Sequence, residues 1–269
     1  MTSWTPEAAM GNPDLRRAFA VGEAKRVWKL YGFKAPADLV LEDLAMAMGI
    51  VVLEAKLDSA DARLVRKGNR GIIRVKQDIP QHGRKRFAVA HEIGHWRLHE
   101  KESQVVACTS EDMRADYKGS DLEIEANVFA SELLMPQALF KPAMAGRTPT
   151  ADTINGLAGV YRTSRTATAV RYVELSDEHC VMVMAEAGRI KWWRASKELN
   201  GSLWIKAGAP VSNRTLAGKY FAGTLDCEEV QDVSMSEWAE RYPEFAEDAI
   251  EAAIPLGQTG AVLSMIWLE

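Results

Sequence analysis

The residues in this chain that could do chemistry together are His91, Glu92 and His95, in the run Phe87-Ala-Val-Ala-His-Glu-Ile-Gly-His-Trp-Arg-Leu-His99. On a helix, residues four apart stand one turn apart on the same face, so both imidazoles can reach one metal ion. Glu92 projects beside that ion rather than at it, which suits a general base acting on a water molecule. Phe87, Val89, Ala90, Ile93, Trp96 and Leu98 leave the segment little room for a solvated face, so the helix is expected to be buried.

Two histidines do not complete such a site, because a catalytic zinc takes three protein ligands and keeps one position for water. His99 lies two turns beyond His91, about 12 Å along a straight helix and too far to share the ion. The glycine that turns a metzincin chain back seven positions after the first histidine is replaced here by Leu98, which excludes that class. The third ligand is expected from Asp121-Leu-Glu-Ile-Glu-Ala-Asn-Val-Phe-Ala-Ser-Glu-Leu-Leu-Met-Pro136, read as a helix capped by Ser120 or Asp121 and stopped by Pro136. Glu123, Ala126, Asn127, Ala130 and Leu134 share one face of it. The two alanines allow a close helix–helix approach, Glu123 reaches the metal, and Asn127 hydrogen-bonds a ligand histidine. Glu125 is about 200° round from Glu123 and should face away.

Ala90-His-Glu-Ile-Gly-His95 followed by Glu123-x-Glu-Ala-Asn-x-Phe-Ala-x-x-Leu-Leu-Met-Pro136 resembles the ImmA/IrrE family of metallo-endopeptidases, over roughly residues 35 to 175. The resemblance implies a zincin-like, gluzincin-type peptidase with a small mixed sheet. His91, His95 and Glu123 would hold the metal, Glu92 would be the catalytic base and Asn127 would support a ligand. It implies Zn2+, with Mn2+ as the alternative in the cell. It also implies a helix-turn-helix repressor of the XRE type as substrate, whose cleavage derepresses phage, mobile-element or DNA-damage genes. The rival readings are a non-proteolytic regulator that grips a repressor or DNA around a structural metal, and a toxin-like element paired with its regulator. A structural zinc has no need of Glu92 and usually takes four protein ligands, of which three are found.

The 269 residues are 47% hydrophobic and 26% charged, with a net charge of −4, as in a globular protein with no global attraction to nucleic acid or acidic lipid. The charge is uneven: residues 63 to 86 hold nine Lys/Arg and one Asp, and residues 226 to 251 hold ten Asp/Glu and one Arg. The first is read as a solvated face or a basic rim to the cleft. Cys108, Cys180 and Cys227 are scattered and odd in number, which suggests neither a disulfide framework nor a thiolate zinc site. With no signal-like start and no apolar run of membrane-spanning length, the expected location is cytoplasmic, with no membrane partner.

The expected organisation is α+β in three parts: a peptidase domain over residues 1–150, a helical, helix-turn-helix-like segment over 151–176, and a C-terminal α+β domain over 177–269. Residues 1–13 are expected to be loosely ordered. Helices are expected over 16–31 and 36–48, and strands over 50–54, 62–67 and 71–76, the last two joined by Lys67-Gly-Asn-Arg-Gly71. Strand 71–76 is the candidate edge for holding an extended substrate, with an ordinary interior strand as the alternative. Residues 101–120 read as a long polar connection able to cover the cleft, from which Tyr117 could stabilise the developing oxyanion, with an ordinary surface tyrosine as the commoner explanation. Arg162, Arg165 and Arg171 leave room for direct DNA contact, although helices that only complete the domain or hold substrate account for the segment better. In the C-terminal part, strands are expected over 181–185, 190–194, 203–206 and 261–268, with an acidic amphipathic helix over 235–242. Sensing, substrate docking or a homodimer contact are the roles open to that part.

Overall fold

The computed structural model describes residues 12–58, 60–100, 105–108, 120–224, 230–257 and 260–268. The chain divides into two compact units, one of Met1–Leu139 with Val160–Ser164 and the other of Phe140–Gly159 with Arg165–Glu269. Both mix helices with a small sheet, so the fold class is α+β.

In the first unit, helix α1 (Pro13–Leu30) starts where Asn12 accepts a hydrogen bond from the Asp14 backbone and Pro13 occupies the first turn. The single helix expected over 36–48 is instead a 3-10 turn, Pro36–Asp38, followed by α2 (Leu41–Ala47). The Asp38 carboxylate takes the backbone N–H groups of Lys34 and Ala35, at 2.7 and 2.8 Å, which closes a separate local turn. Leu39 and Val40 then run extended before α2 begins.

Strands β1 (Ile50–Ala55), β2 (Ala62–Lys67), β3 (Arg70–Lys76) and β4 (Val105–Cys108) form a sheet in the order β1-β3-β2-β4. The β2–β3 hairpin closes at the expected turn, with Lys67 opposite Arg70. The expectation that residues 71–76 form an edge is wrong: β3 lies between a parallel β1 and an antiparallel β2. Its Gly71, Ile73 and Val75 are all buried, and an interior position lets that apolar row cover helix α3 (His82–Leu98). The stretch expected to be wholly polar and loop-like also contributes β4, built on the short apolar run Val105-Val-Ala-Cys108 and paired with β2. Gly71 is where the sheet meets α3. A methyl group there would come within 2.8 Å of the Trp96 ring, and Arg66 from the neighbouring strand lies 3.8 Å from the centroid of the same ring.

Helix α4 (Asp121–Leu134) begins at Ser120, whose hydroxyl accepts from the Leu122 backbone, and ends ahead of Pro136. It packs between α1 and α3. Ala126, Phe129, Ala130 and Leu133 are fully buried, and Trp28 of α1 donates its indole N–H to the Leu133 carbonyl at 2.9 Å.

In the second unit, most of α5 (Gln137–Met144), most of α6 (Ala151–Tyr161) and all of α7 (Arg165–Leu175) precede a five-stranded antiparallel sheet. Its strands are β5 (Cys180–Glu186), β6 (Arg189–Ala195), β7 (Val230–Ser234), β8 (Asp248–Pro255) and β9 (Ala261–Trp267), in the order β6-β5-β9-β8-β7. Two expectations fail here. Residues 203–206 form no strand; Trp204 makes an isolated bridge to Arg241. Residues 235–242 are helical only over Met235–Glu237, because the backbone of Glu240 and Arg241 bonds to Trp204 and draws the chain out of the helix. A short helix, α8 (Leu216–Phe221), begins on a buried carboxylate: Glu251 of β8 accepts from the Leu216 and Ala217 backbones and from the Ser264 hydroxyl. Among the described residues no helix is long and apolar enough to cross a membrane.

Candidate metal centre

Helix α3 carries His91, Glu92 and His95 within its buried stretch, and α4 carries Glu123 and Asn127 on the face turned to it. Three donor atoms converge. His91 Nε2 lies 3.0 Å from His95 Nε2 and 3.0 Å from Glu123 Oε2, and His95 Nε2 lies 3.4 Å from the same carboxylate oxygen. All three donors fall within 4.8 Å of one another. Ligands about 2.0–2.1 Å from a tetrahedral zinc stand about 3.3 Å apart, so this triangle has the size such an ion requires. The donor chemistry agrees: two imidazole nitrogens and one carboxylate oxygen, in a pocket where both histidines are buried.

Glu123 is half-buried. Burial works to raise its carboxyl, but the hydrogen bonds and charges of His91 and His95 outweigh it and hold the group well below the usual carboxylate range. The group is therefore ionised at neutral pH and offers a full negative charge to a cation. Glu92, buried on α3 between the two histidines, is not among the convergent donors.

Asn127 Oδ1 lies 3.0 Å from His91 Nδ1, the ring atom opposite the convergent one. The second histidine is supported differently, and the sequence reading missed it. His95 Nδ1 lies 2.9 Å from His99 Nδ1, and His99 Nε2 lies 3.2 Å from Glu125 Oε2. Glu125 does turn from the metal-facing side, but it is buried and pairs with Arg16 of α1 at 3.1 Å. The available signal was the repeated four-residue spacing His91, His95, His99, which puts the third ring one turn beyond the second on the same face. Tyr117 lies outside the described residues.

Residues 45–172 match the family of the IrrE N-terminal-like domain, peptidase M78. The matching segment contains the whole convergent cluster with Asn127, His99 and Glu125, while Arg16 stands outside it. A solved structure of a Mycobacterium tuberculosis transcriptional regulator has the same overall fold, with a TM-score of 0.59 at 15% identity, covering 92% of this chain and 76% of that chain. Comparison with curated proteins finds no match.

Beyond the cluster, the three arginines considered for DNA contact are placed unevenly. Arg171 is buried, Arg165 donates to the Pro255 carbonyl at 3.0 Å, and Arg162 adopts a left-handed backbone (φ 54°) at the turn between α6 and α7.

Proposed function

We propose that this chain is a metal-dependent endopeptidase whose metal is held by His91, His95 and Glu123 and whose general base is Glu92. The observation that carries the reading is the triangle of Nε2, Nε2 and Oε2 atoms, with a buried carboxylate next to it in sequence that is not one of the donors. Zn2+ suits two imidazoles and one carboxylate best, and Mn2+ is the alternative in the cell.

When bound, the metal supplies Lewis acidity toward a water molecule and toward the carbonyl of the scissile peptide. The chain's own residues do the rest. His91 and His95 present neutral Nε2 lone pairs, and Glu123 presents one negative charge, which leaves a divalent ion with net positive charge. Glu92 accepts a proton from the attacking water on its carboxylate and returns it to the leaving amide nitrogen. Asn127 keeps the His91 ring from rotating away.

The resemblance to ImmA/IrrE peptidases supports a helix-turn-helix repressor as substrate, cleaved so that the genes it silences are expressed. The test compares wild type with Glu92→Gln, each incubated with candidate repressors with and without chelator. Wild type cuts one repressor at a defined bond and chelator stops it, whereas Glu92→Gln keeps its metal and does not cut. Full cleavage by Glu92→Gln would sink the assignment.

A further inference from the structure

We propose that His99 and Glu125 are positioning residues that fix the orientation and tautomer of His95 from behind. The inference rests on the metal reading above and concerns residues outside the ligand set.

A histidine that binds a metal through Nε2 keeps its remaining proton on Nδ1. For His91 that N–H donates to the Asn127 amide oxygen at 3.0 Å. For His95 it points at another imidazole, with His99 Nδ1 2.9 Å away. His99 Nδ1 must then accept. A neutral imidazole that accepts at Nδ1 carries its proton on Nε2, and His99 Nε2 lies 3.2 Å from Glu125 Oε2, an acceptor when ionised. The other Glu125 oxygen meets the Arg16 guanidinium at 3.1 Å, and the same Arg16 nitrogen lies 2.9 Å from Asp121. Every proton in the row has one place, and every donor points outward from the ligand atom toward the carboxylate.

The fold holds this arrangement rigidly. His99 caps the end of α3, and its backbone N–H still bonds the His95 carbonyl at 3.0 Å, so its ring stays one turn beyond that of His95. His99 is 5% and Glu125 8% exposed, so bulk water is a poor substitute for either. Helix α4 thus serves the centre from two sides, with Glu123 among the donors and Glu125 behind the second histidine. The two ligand histidines differ in consequence. His91 leans on the amide of Asn127, and His95 leans through His99 on the carboxyl group of Glu125.

Zinc affinity, measured by competition with a chromogenic chelator, tests this in wild type, His99→Leu and His99→Gln. His99→Leu removes the acceptor and should weaken zinc roughly 10- to 100-fold. His99→Gln offers a carboxamide oxygen to the His95 N–H and should recover most of that loss. Long-range 1H–15N correlation on the zinc-loaded wild type needs no substitution. It should find the proton on Nδ1 of His95 and on Nε2 of His99. Wild-type affinity in His99→Leu, or a His99 proton found on Nδ1 in the zinc-loaded protein, overturns the inference while leaving the metal site standing. Wild type that takes up no zinc overturns the metal reading and this inference with it.

Discussion

Gly94 of α3 and Ala126 of α4 meet backbone to backbone: a methyl group on Gly94 would lie 3.2 Å from both the Cα and the carbonyl oxygen of Ala126. Gly94 precedes His95, and Ala126 lies between Glu125 and Asn127. This contact sets the distance between the two helices at the level of the ligands. Gly94→Ala should therefore cost about 1–3 kcal/mol of stability by forcing the helices apart, and it should weaken metal binding as well. Denaturant unfolding and a zinc titration check the two effects. Unchanged values in both would mean that the helices can separate without moving the donors.

Asn127 Oδ1 meets His91 Nδ1 at 3.0 Å, and substitution tests what that contact contributes. Asn127→Leu should lower zinc affinity by roughly 10- to 100-fold. Asn127→Asp, which still accepts from His91 Nδ1, should bind nearly as well as wild type. Calorimetric titration of both variants separates loss of the acceptor from loss of side-chain volume.

How much of this centre can be read from the sequence follows from how local each relationship is. His91, His95, Glu123 and Asn127 are legible because each pair lies within one helical turn, and helical spacing alone decides the face. The role of His99 is not legible in that way. It depends on where the last turn of α3 crosses α4, and the buried Glu125 is paired by Arg16 of α1, more than 100 positions earlier in the chain. The same limit explains β3. A hairpin is visible in its turn residues, but the return of β1 as a parallel neighbour on the far side is a tertiary choice. Residues 235–242 have helical spacing, and a long-range bridge at Trp204 overrides it.

Glu251 gives the second unit a pH dependence of known sign. Its burial raises the carboxyl above its unfolded value, with the Leu216, Ser264 and Ala217 hydrogen bonds working in the other direction. The folded state therefore prefers the protonated form. The stabilisation this linkage contributes is complete below the unfolded carboxylate range and is lost as pH rises through the raised folded value. Glu251→Gln removes the titration. Measured by urea unfolding, the stability of wild type relative to Glu251→Gln should increase as pH falls from 7 toward 4.5. A difference that stays flat over that range would contradict the account.

Cys180 should be chemically silent in the folded protein. It is 1% exposed, and burial pushes its thiol up to about 12, so almost no thiolate exists at neutral pH. Iodoacetamide labelling mapped by mass spectrometry should leave Cys180 unmodified in buffer and fully modified in denaturant. Rapid labelling under native conditions would show that β5 opens.

Helix α1 lies outside the segment that matches the family, yet Ala20, Ala24 and Val27 are fully buried in it, Trp28 bonds α4, and Arg16 is the counter-ion of Glu125. The limits of sequence kinship and the limits of self-sufficient folding therefore differ in this protein. In a fragment trimmed to residues 45–172, the loss of α1 alone would forfeit on the order of 5 kcal/mol of apolar burial and leave the Glu125 carboxylate without its cation. The smallest piece with an intact centre must include α1, so the N-terminal helix is as much a part of the metal site's scaffold as the helices that carry its ligands.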